Sequence, residues 1–318
     1  MASKTDSSGQ TLYTFTSKKA KRAFVIKHWP LYLISIPGLF YFVIFKYIPL
    51  LGSSIAFQNY NIFKGITGSP WVGFEHFKRM FAYEEFLVIL KNTLLIGMYD
   101  LVFAFPIPII LALLLNEIRF TGYKRALQTI IYMPHFLSWV IVGGIIIGLL
   151  SPTTGIVNHI LGLFNIEPIY FLGENSYIRS ILISSGIWKD SGWGTIIYLA
   201  AIAGINPDLY EAAEIDGAGK FRQVMSITLP SILPTITILF LLHIGSFLDF
   251  GFERVYVFLN SLNSENGQIL DTYVYRAGLL DRQYSYTTAI GLFKSVIGLL
   301  LIMLGNTLSK KTTGNGLY

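Results

Sequence analysis

This sequence predicts an all-α polytopic membrane protein of six transmembrane helices, with both termini on the cytoplasmic side. Three observations carry that prediction. Only 13% of the 318 residues are charged and 53% are hydrophobic, against about 25% charged in a soluble domain. Six apolar runs have the roughly 20 residues that a helix needs to cross a bilayer. Lysine and arginine gather in alternate connections between those runs. Mean hydropathy, at +0.56, agrees.

Residues 1–30 read as a cytoplasmic tail. Met1–Lys27 is polar and basic, with Lys18, Lys19, Lys21 and Arg22 clustered. It lacks the apolar stretch and small-residue cleavage site of a secretory signal. The tail is expected to start as disordered chain, with a helical approach to the membrane from about Ser17. The transmembrane domain then occupies 31–308, with spans near Leu31–Leu51, Phe86–Leu115, Leu127–Leu150, Ile178–Ile205, Ser231–Phe250 and Thr287–Leu308. The second and fourth exceed the bilayer thickness. Kinks are expected at Pro106 and Pro108 in the second, and at Gly186, Gly192 and Gly194 in the fourth. Residues 309–318 form a short C-terminal tail.

Orientation follows from the basic residues. With the N-terminus inside, the cytoplasmic parts hold thirteen lysines and arginines, and the longer external loops hold seven. Lys46, Lys91, Lys189 and Lys294 fall within or at the ends of spans. The net charge of +6 is thus a topological signal, and nucleic acid is not an expected partner. Among the external loops, Ala56–Phe81 is rich in aromatic residues and glycine and reads as an ordered cap. Gly251–Tyr286 carries mixed charge, from Glu253 and Arg254 to Asp281 and Arg282. These loops suit either docking of an external protein or packing on one another.

The connection between the fourth and fifth spans, residues 206–230, is cytoplasmic in this topology. Asn206 suits a helix cap and Pro207 the first helical position. Asp208 and Glu211 favour the positive end of the helix dipole. Leu209, Ala212 and Ala213 make a shallow apolar face. Gly217 and Gly219 are expected to turn the chain into a second helix, Phe221–Leu229, closed by Pro230.

The order Glu-Ala-Ala, Asp-Gly-Ala, Ile-x-Leu-Pro across Glu211–Pro230 resembles the cytoplasmic loop of permease subunits in binding-protein-dependent ABC importers. Glu211, Ala212, Ala213, Gly217, Ile227, Leu229 and Pro230 sit where that pattern wants them. Runs such as HWPLYLISIPGLFYFVIFKYIPLLG, LLSPTTGIVN and DTYVYRAGLL extend the resemblance to the polysaccharide and oligosaccharide branch, similar to the lipoprotein-operon and alginate importer permeases. The resemblance implies a type I importer fold in the bacterial inner membrane and a second, homologous permease subunit. It also implies two cytoplasmic ATPase subunits that bind the ATP and magnesium, an external solute-binding protein and an oligosaccharide substrate. Glu211, Ala212, Ala213, Glu214, Asp216, Gly217, Leu229 and Pro230 are then the candidate ATPase-coupling residues. Glu211 would bond to the ATPase, and Ala212 and Ala213 would allow close approach. The maltose-type subunit has extra N-terminal spans and an external domain for which this chain is too short, so that subunit's substrate contacts do not transfer.

No catalytic constellation is legible. The nearest approach to a phosphate loop, Gly217-Ala-Gly-Lys-Phe221, lacks the hydroxyl that would bind magnesium. There is no cysteine, and the five histidines have no metal-ligand spacing. Neither an enzyme nor a resident cofactor or metal is expected.

Charged residues inside spans are costly and invite a functional reading. The candidate substrate-pathway residues are Asp100, Trp188, Lys189, Asp190, Trp193, His243, Ser246, Asp249 and Lys294. Polar groups would line a path for a hydrophilic solute, and tryptophans would stack on sugar rings. Against this stands the simpler reading that Lys189 with Asp190, and Asp249 with Lys294, are interhelical ion pairs. Lys189 and Lys294 would suit a uronate-containing sugar such as alginate. A secondary transporter using Asp100 and Asp249 as ion sites is the alternative class, and six spans without an evident inverted repeat argue against it.

Overall fold

The computed structural model describes residues 2–5, 11–14, 18–314 and 316. Ala2–Thr5 and Thr11–Thr14 pair as antiparallel strands, where the sequence predicts disordered chain. A helix over Lys18–Lys27 leads to the membrane segments; its expected start at Ser17 lies outside the described residues, as do Asn315, Leu317 and Tyr318 of the C-terminal tail.

Among the described residues four helices are long and apolar enough to cross a membrane: Trp29–Phe57, Glu84–Glu117, Lys220–Gly245 and Tyr284–Lys311. A bent pair, Thr121–Phe136 with Trp139–Leu149, makes a fifth if counted as one span. The expected fourth span is the helix Ile178–Ala203. Its 26 residues reach about 39 Å, but Arg179, Lys189 and Asp190 make it less apolar than the others. It lies at the centre of the bundle, against Pro106–Glu117, Met133–Phe136 and Leu229–Gly245.

Prolines in these helices do not break them. A proline has no N–H and its ring strikes the carbonyl four residues back. Three times the chain widens into a five-residue π-helical stretch ending two residues before a proline: Val43–Tyr47 before Pro49, Asp100–Ala104 before Pro106, and Val224–Thr228 before Pro230. The wider turn moves the obstructed carbonyl aside, and Phe105 N–H still bonds to Asp100 C=O at 3.1 Å. The second helix therefore passes through Pro106 and Pro108. Pro230 likewise lies inside the continuous Lys220–Gly245 helix and does not end a separate one at Leu229, as the sequence reading expected.

The break falls in the third segment instead. Thr121–Phe136 and Trp139–Leu149 meet at 106°. A 3₁₀ turn at Met133–Phe136 contains Pro134, and Ser138 starts the next helix by accepting a hydrogen bond from Ile141 N–H. A single span over Leu127–Leu150 would need helical backbone at Leu137, where the chain is extended.

The glycines expected to kink the fourth span lie within one unbroken helix. They are points of close approach. A Cβ at Gly192 would come 2.1 Å from the Ile131 carbonyl oxygen, and one at Gly194 3.1 Å from Pro108. Small residues let helices meet this closely where lipid supplies no hydrophobic drive.

Buried side chains among the described residues form three clusters. Ile178, Leu182, Val255, Phe258 and Ile269 join the central helix to the connection after the fifth span. Met80, Phe86, Tyr286 and Ile290 hold the connection between the first two spans to the last helix. Ala112, Tyr198, Ile202 and Ile232 close the other end. The aromatic cap is ordered: Phe57 stacks on Trp71 at 5.7 Å, beside a bridge between Gln58 and Trp71. The first long helix stands apart, with none of its apolar window buried. Its end, Ser53–Phe57, packs on the last helix.

Candidate functional site

The loop between the fourth and fifth spans is a rigid turn with an exposed outer surface. Asn206 Oδ1 accepts the Asp208 N–H at 3.1 Å and begins the helix Asp208–Ile215. That helix ends in a left-handed cap. Gly217 has φ +77°, its N–H bonds to Glu214 C=O at 3.0 Å, and the Ala218 N–H bonds to Ala213 C=O at 2.8 Å. The two bonds satisfy carbonyls that a helix end otherwise leaves open.

Three contacts tie this turn to the base of the Lys220–Gly245 helix. Tyr210 and Thr228 hydroxyls lie 2.9 Å apart. Lys220 donates to Glu214 at 2.8 Å and to Gln223 at 3.0 Å. Buried Gln223 donates in turn to Ala218 C=O at 3.2 Å. The Lys220 ammonium, followed by Gln223, holds the Glu214 carboxyl below its ordinary value. Glu211, Ala212, Glu214, Asp216, Gly217 and Pro230 are exposed, and Ala213 and Leu229 are half-buried. Leu209, Ile215 and Phe221 add exposed apolar surface, Ile215 at 87% and Phe221 at 80%.

A cavity of about 400 Å³, with a largely apolar wall, opens between Glu84–Glu117, Ile178–Ala203 and Lys220–Gly245. Its floor is an ionic cluster. Arg254 donates to Asp100 Oδ1 at 2.8 Å and to Leu182 C=O at 2.9 Å, and His243 Nε2 lies 3.3 Å from Asp100 Oδ2. Asp100 and Arg254 are buried and the imidazole is more open. Gly186 makes room for the guanidinium, since a Cβ there would lie 2.2 Å from Nη2. Asp190 and Ser246 also line this space.

Asp100, Asp190, His243 and Ser246 line one space, and the anticipated ion pairs are not formed. Lys189 donates to the His135 backbone carbonyl at 2.6 Å and lies over the Trp139 ring, so it does not pair with Asp190. Asp190 meets His135 Nδ1 at 3.0 Å. Lys294 pairs with Asp271, not Asp249. The helix ends at Gly245, so the His243–Ser246–Asp249 stripe is not continued, and Asp249 lines a separate cavity. Trp193 stacks on the His135 ring at 4.7 Å, and Trp188 borders an apolar groove with Ile145 and Leu149.

Sequence reasoning missed Arg254 and His135. Arg254 lies beyond the fifth span among loop charges, and only Gly186, read as a kink, bore a trace of it. His135 precedes the unforeseen bend at Ser138, which turns it toward the central helix.

A bundle of apolar helices around a cavity with an ionic cluster, carrying an exposed, tightly capped loop, has the architecture of a multi-pass membrane permease. Residues 90–314 match the family of binding-protein-dependent transport system inner membrane components, and the chain belongs to that family. It is 49% identical over 306 residues to the polygalacturonan/rhamnogalacturonan transport system permease protein YteP of Bacillus subtilis, covering 96% of this chain and 95% of that one. Protein LplB of the same organism is 50% identical over 288 residues, 91% of each chain. Among solved structures, a chain of a bacterial alginate ABC transporter in complex with alginate pentasaccharide-bound periplasmic protein superposes with a TM-score of 0.86. That chain is 40% identical, with 93% of this chain and 99% of that one covered.

Proposed function

We propose that this chain is one permease subunit of an ATP-driven importer that carries an oligosaccharide from an external solute-binding protein into the cytoplasm. The observation that carries the reading is a mechanical connection. The exposed Glu211 helix is fastened through Tyr210–Thr228 and Gln223–Ala218 to the base of one continuous helix, Lys220–Gly245. The far end of that helix places His243 against Asp100 in the cavity. A displacement of the loop moves the cavity wall, because a hydrogen-bonded helix transmits motion along its length as a rigid element.

In this reading two ATPase subunits bind ATP and magnesium and push on Glu211 and its neighbours, so the chain is not itself an enzyme. Both termini face the cytoplasm. A second, homologous permease subunit covers the first helix, whose apolar window is nowhere buried among the described residues. The substrate is a polysaccharide fragment, supported by the polygalacturonan, rhamnogalacturonan and alginate in the names of the relatives.

The test is ATP hydrolysis by the reconstituted complex, with and without binding protein loaded with oligosaccharide. Stimulation is expected in wild type and lost in Glu211→Lys. Stimulation that survives the substitution removes Glu211 from the coupling role. Uptake driven by an ion gradient with no associated ATPase would make the chain a secondary transporter.

A further inference from the structure

Another cavity, of about 450 Å³, lies between the Glu84–Glu117 helix and the start of Ile178–Ala203, a volume that suits a small-molecule site. It sits at the end of the central helix away from the Glu211 loop. Ile187 lines both this space and the cavity at Asp100, so the two follow one another along the same pair of helices. From Arg179 to Ile187 the path runs roughly 12 Å down the helix axis.

Arg179 is the one charged residue among the described residues that line this cavity. It is half-buried, and its Nη2 donates to Asn92 Oδ1 and Asn266 Oδ1, each at 2.8 Å. Both acceptors are neutral amides. They hold the guanidinium in place without cancelling its charge, and Arg179 forms no ion pair among the described residues. The Glu265 carboxylate accepts from Asn175 at 3.2 Å and lines a different cavity. A guanidinium carries five donors. Nε is enclosed without a partner, whereas Nη1 is also unpartnered among the described residues but is not enclosed, so it is the donor edge within a ligand's reach. Ser176, Ser180 and Ser184 recur beside it at four-residue spacing, and Tyr99 and Phe103 add aromatic rings from the other helix.

A fixed, uncompensated guanidinium prefers a carboxylate to any neutral acceptor. Hydroxyls beside it match the hydroxyl edge of a sugar ring, and aromatic rings match its C–H face. We propose that this cavity is an entry subsite for an acidic sugar residue, with Arg179 taking the uronate carboxylate before the chain moves on toward Asp100. The assignment rests on the importer reading above and adds to it the residue that selects acidic over neutral chains.

The experiment uses the assembled transporter in nanodiscs, without binding protein, and two ligands of equal length: an oligogalacturonate and its fully methyl-esterified counterpart. Binding is followed by calorimetry and saturation-transfer NMR. Wild type is expected to bind the acid about tenfold or more tightly than the ester, the difference that one charged hydrogen bond makes. Arg179→Gln should erase that gap. Because it also disturbs the bonds to Asn92 and Asn266, Ser180→Asp is the second variant. It keeps those bonds, sets a carboxylate in the cavity, and should erase the gap with the thermal unfolding midpoint unchanged. Equal or tighter binding of the ester by wild type, binding of neither ligand, or a gap that survives either substitution overturns the proposal. An anionic phospholipid that wild type retains in native mass spectra and Arg179→Gln releases, with no gap between the two sugars, overturns it in favour of a headgroup site. ATPase stimulation by loaded binding protein, measured on the same nanodiscs, separates the two levels. If it is present the importer reading stands whatever becomes of the subsite.

Discussion

Replacing Gly186 by alanine tests the cavity floor with one methyl group. The new Cβ would lie 2.2 Å from Arg254 Nη2 and 2.5 Å from Cζ, well inside any tolerated contact. The guanidinium cannot withdraw freely, because Nη2 is held by Asp100 Oδ1 at 2.8 Å and Leu182 C=O at 2.9 Å. Relief means loosening a buried ion pair, and disrupting such a pair costs about 3–5 kcal/mol. The better helix propensity of alanine returns about 1 kcal/mol, for a net loss of about 2–4 kcal/mol. Gly144→Ala is the matched control: it lies within a helix, with nothing within 4 Å of its added Cβ. That substitution should stabilise by about 0.5–1 kcal/mol. Thermal unfolding midpoints of the two purified variants in the same detergent should therefore move to opposite sides of wild type. A Gly186→Ala midpoint at or above that of Gly144→Ala would refute the assignment of Gly186 as the seat of Arg254.

Further outcomes follow from the loop and from the Lys294–Asp271 pair. Gly217→Ala meets no atom but forces a side chain into a left-handed backbone at φ +77°, costing about 1–2 kcal/mol; hydrogen exchange at Ala218 should accelerate while the spans stay protected. Gln223→Ala strips the Ala218 carbonyl of its buried donor, at about 1–3 kcal/mol, and should lower the ATP-coupled transport yield per nucleotide without changing expression. Lys294 is committed to Asp271, so Lys294→Gln should reduce uptake of acidic and neutral oligosaccharides alike. Selective loss of the acidic one would restore a uronate-binding role for this lysine. The Glu214 carboxyl is held below its value of 4.5 by Lys220, so the unfolded loop binds the proton more tightly. The Glu214 contribution is whole above the ordinary glutamate range and disappears as pH falls through the lowered value. An NMR titration of Glu214 should show the depressed midpoint, and Lys220→Met should return it toward normal.

The class of this protein was written in local features of the chain. Spans are visible because a bilayer imposes length and apolarity on each helix independently of its neighbours. The Glu211–Pro230 loop is legible because caps, turns and small faces depend on a few consecutive residues, and Gly217 turns where the sequence places a turn. Asp100 and His243 stand out because charge within an apolar run is conspicuous by itself. Tertiary structure alone decided the pairings. Lys189 chose a backbone carbonyl, Lys294 chose Asp271, and Arg254 came from a loop to meet Asp100, since each pairing depends on how helices distant in sequence are rotated and spaced. The proline effects belong to the same category: Pro106 is absorbed by a π turn over Asp100–Ala104, an outcome the proline's position alone does not decide. Gly186 and Gly192 read equally well as hinges or as seats until the partner atom is known, and that atom lies on another helix.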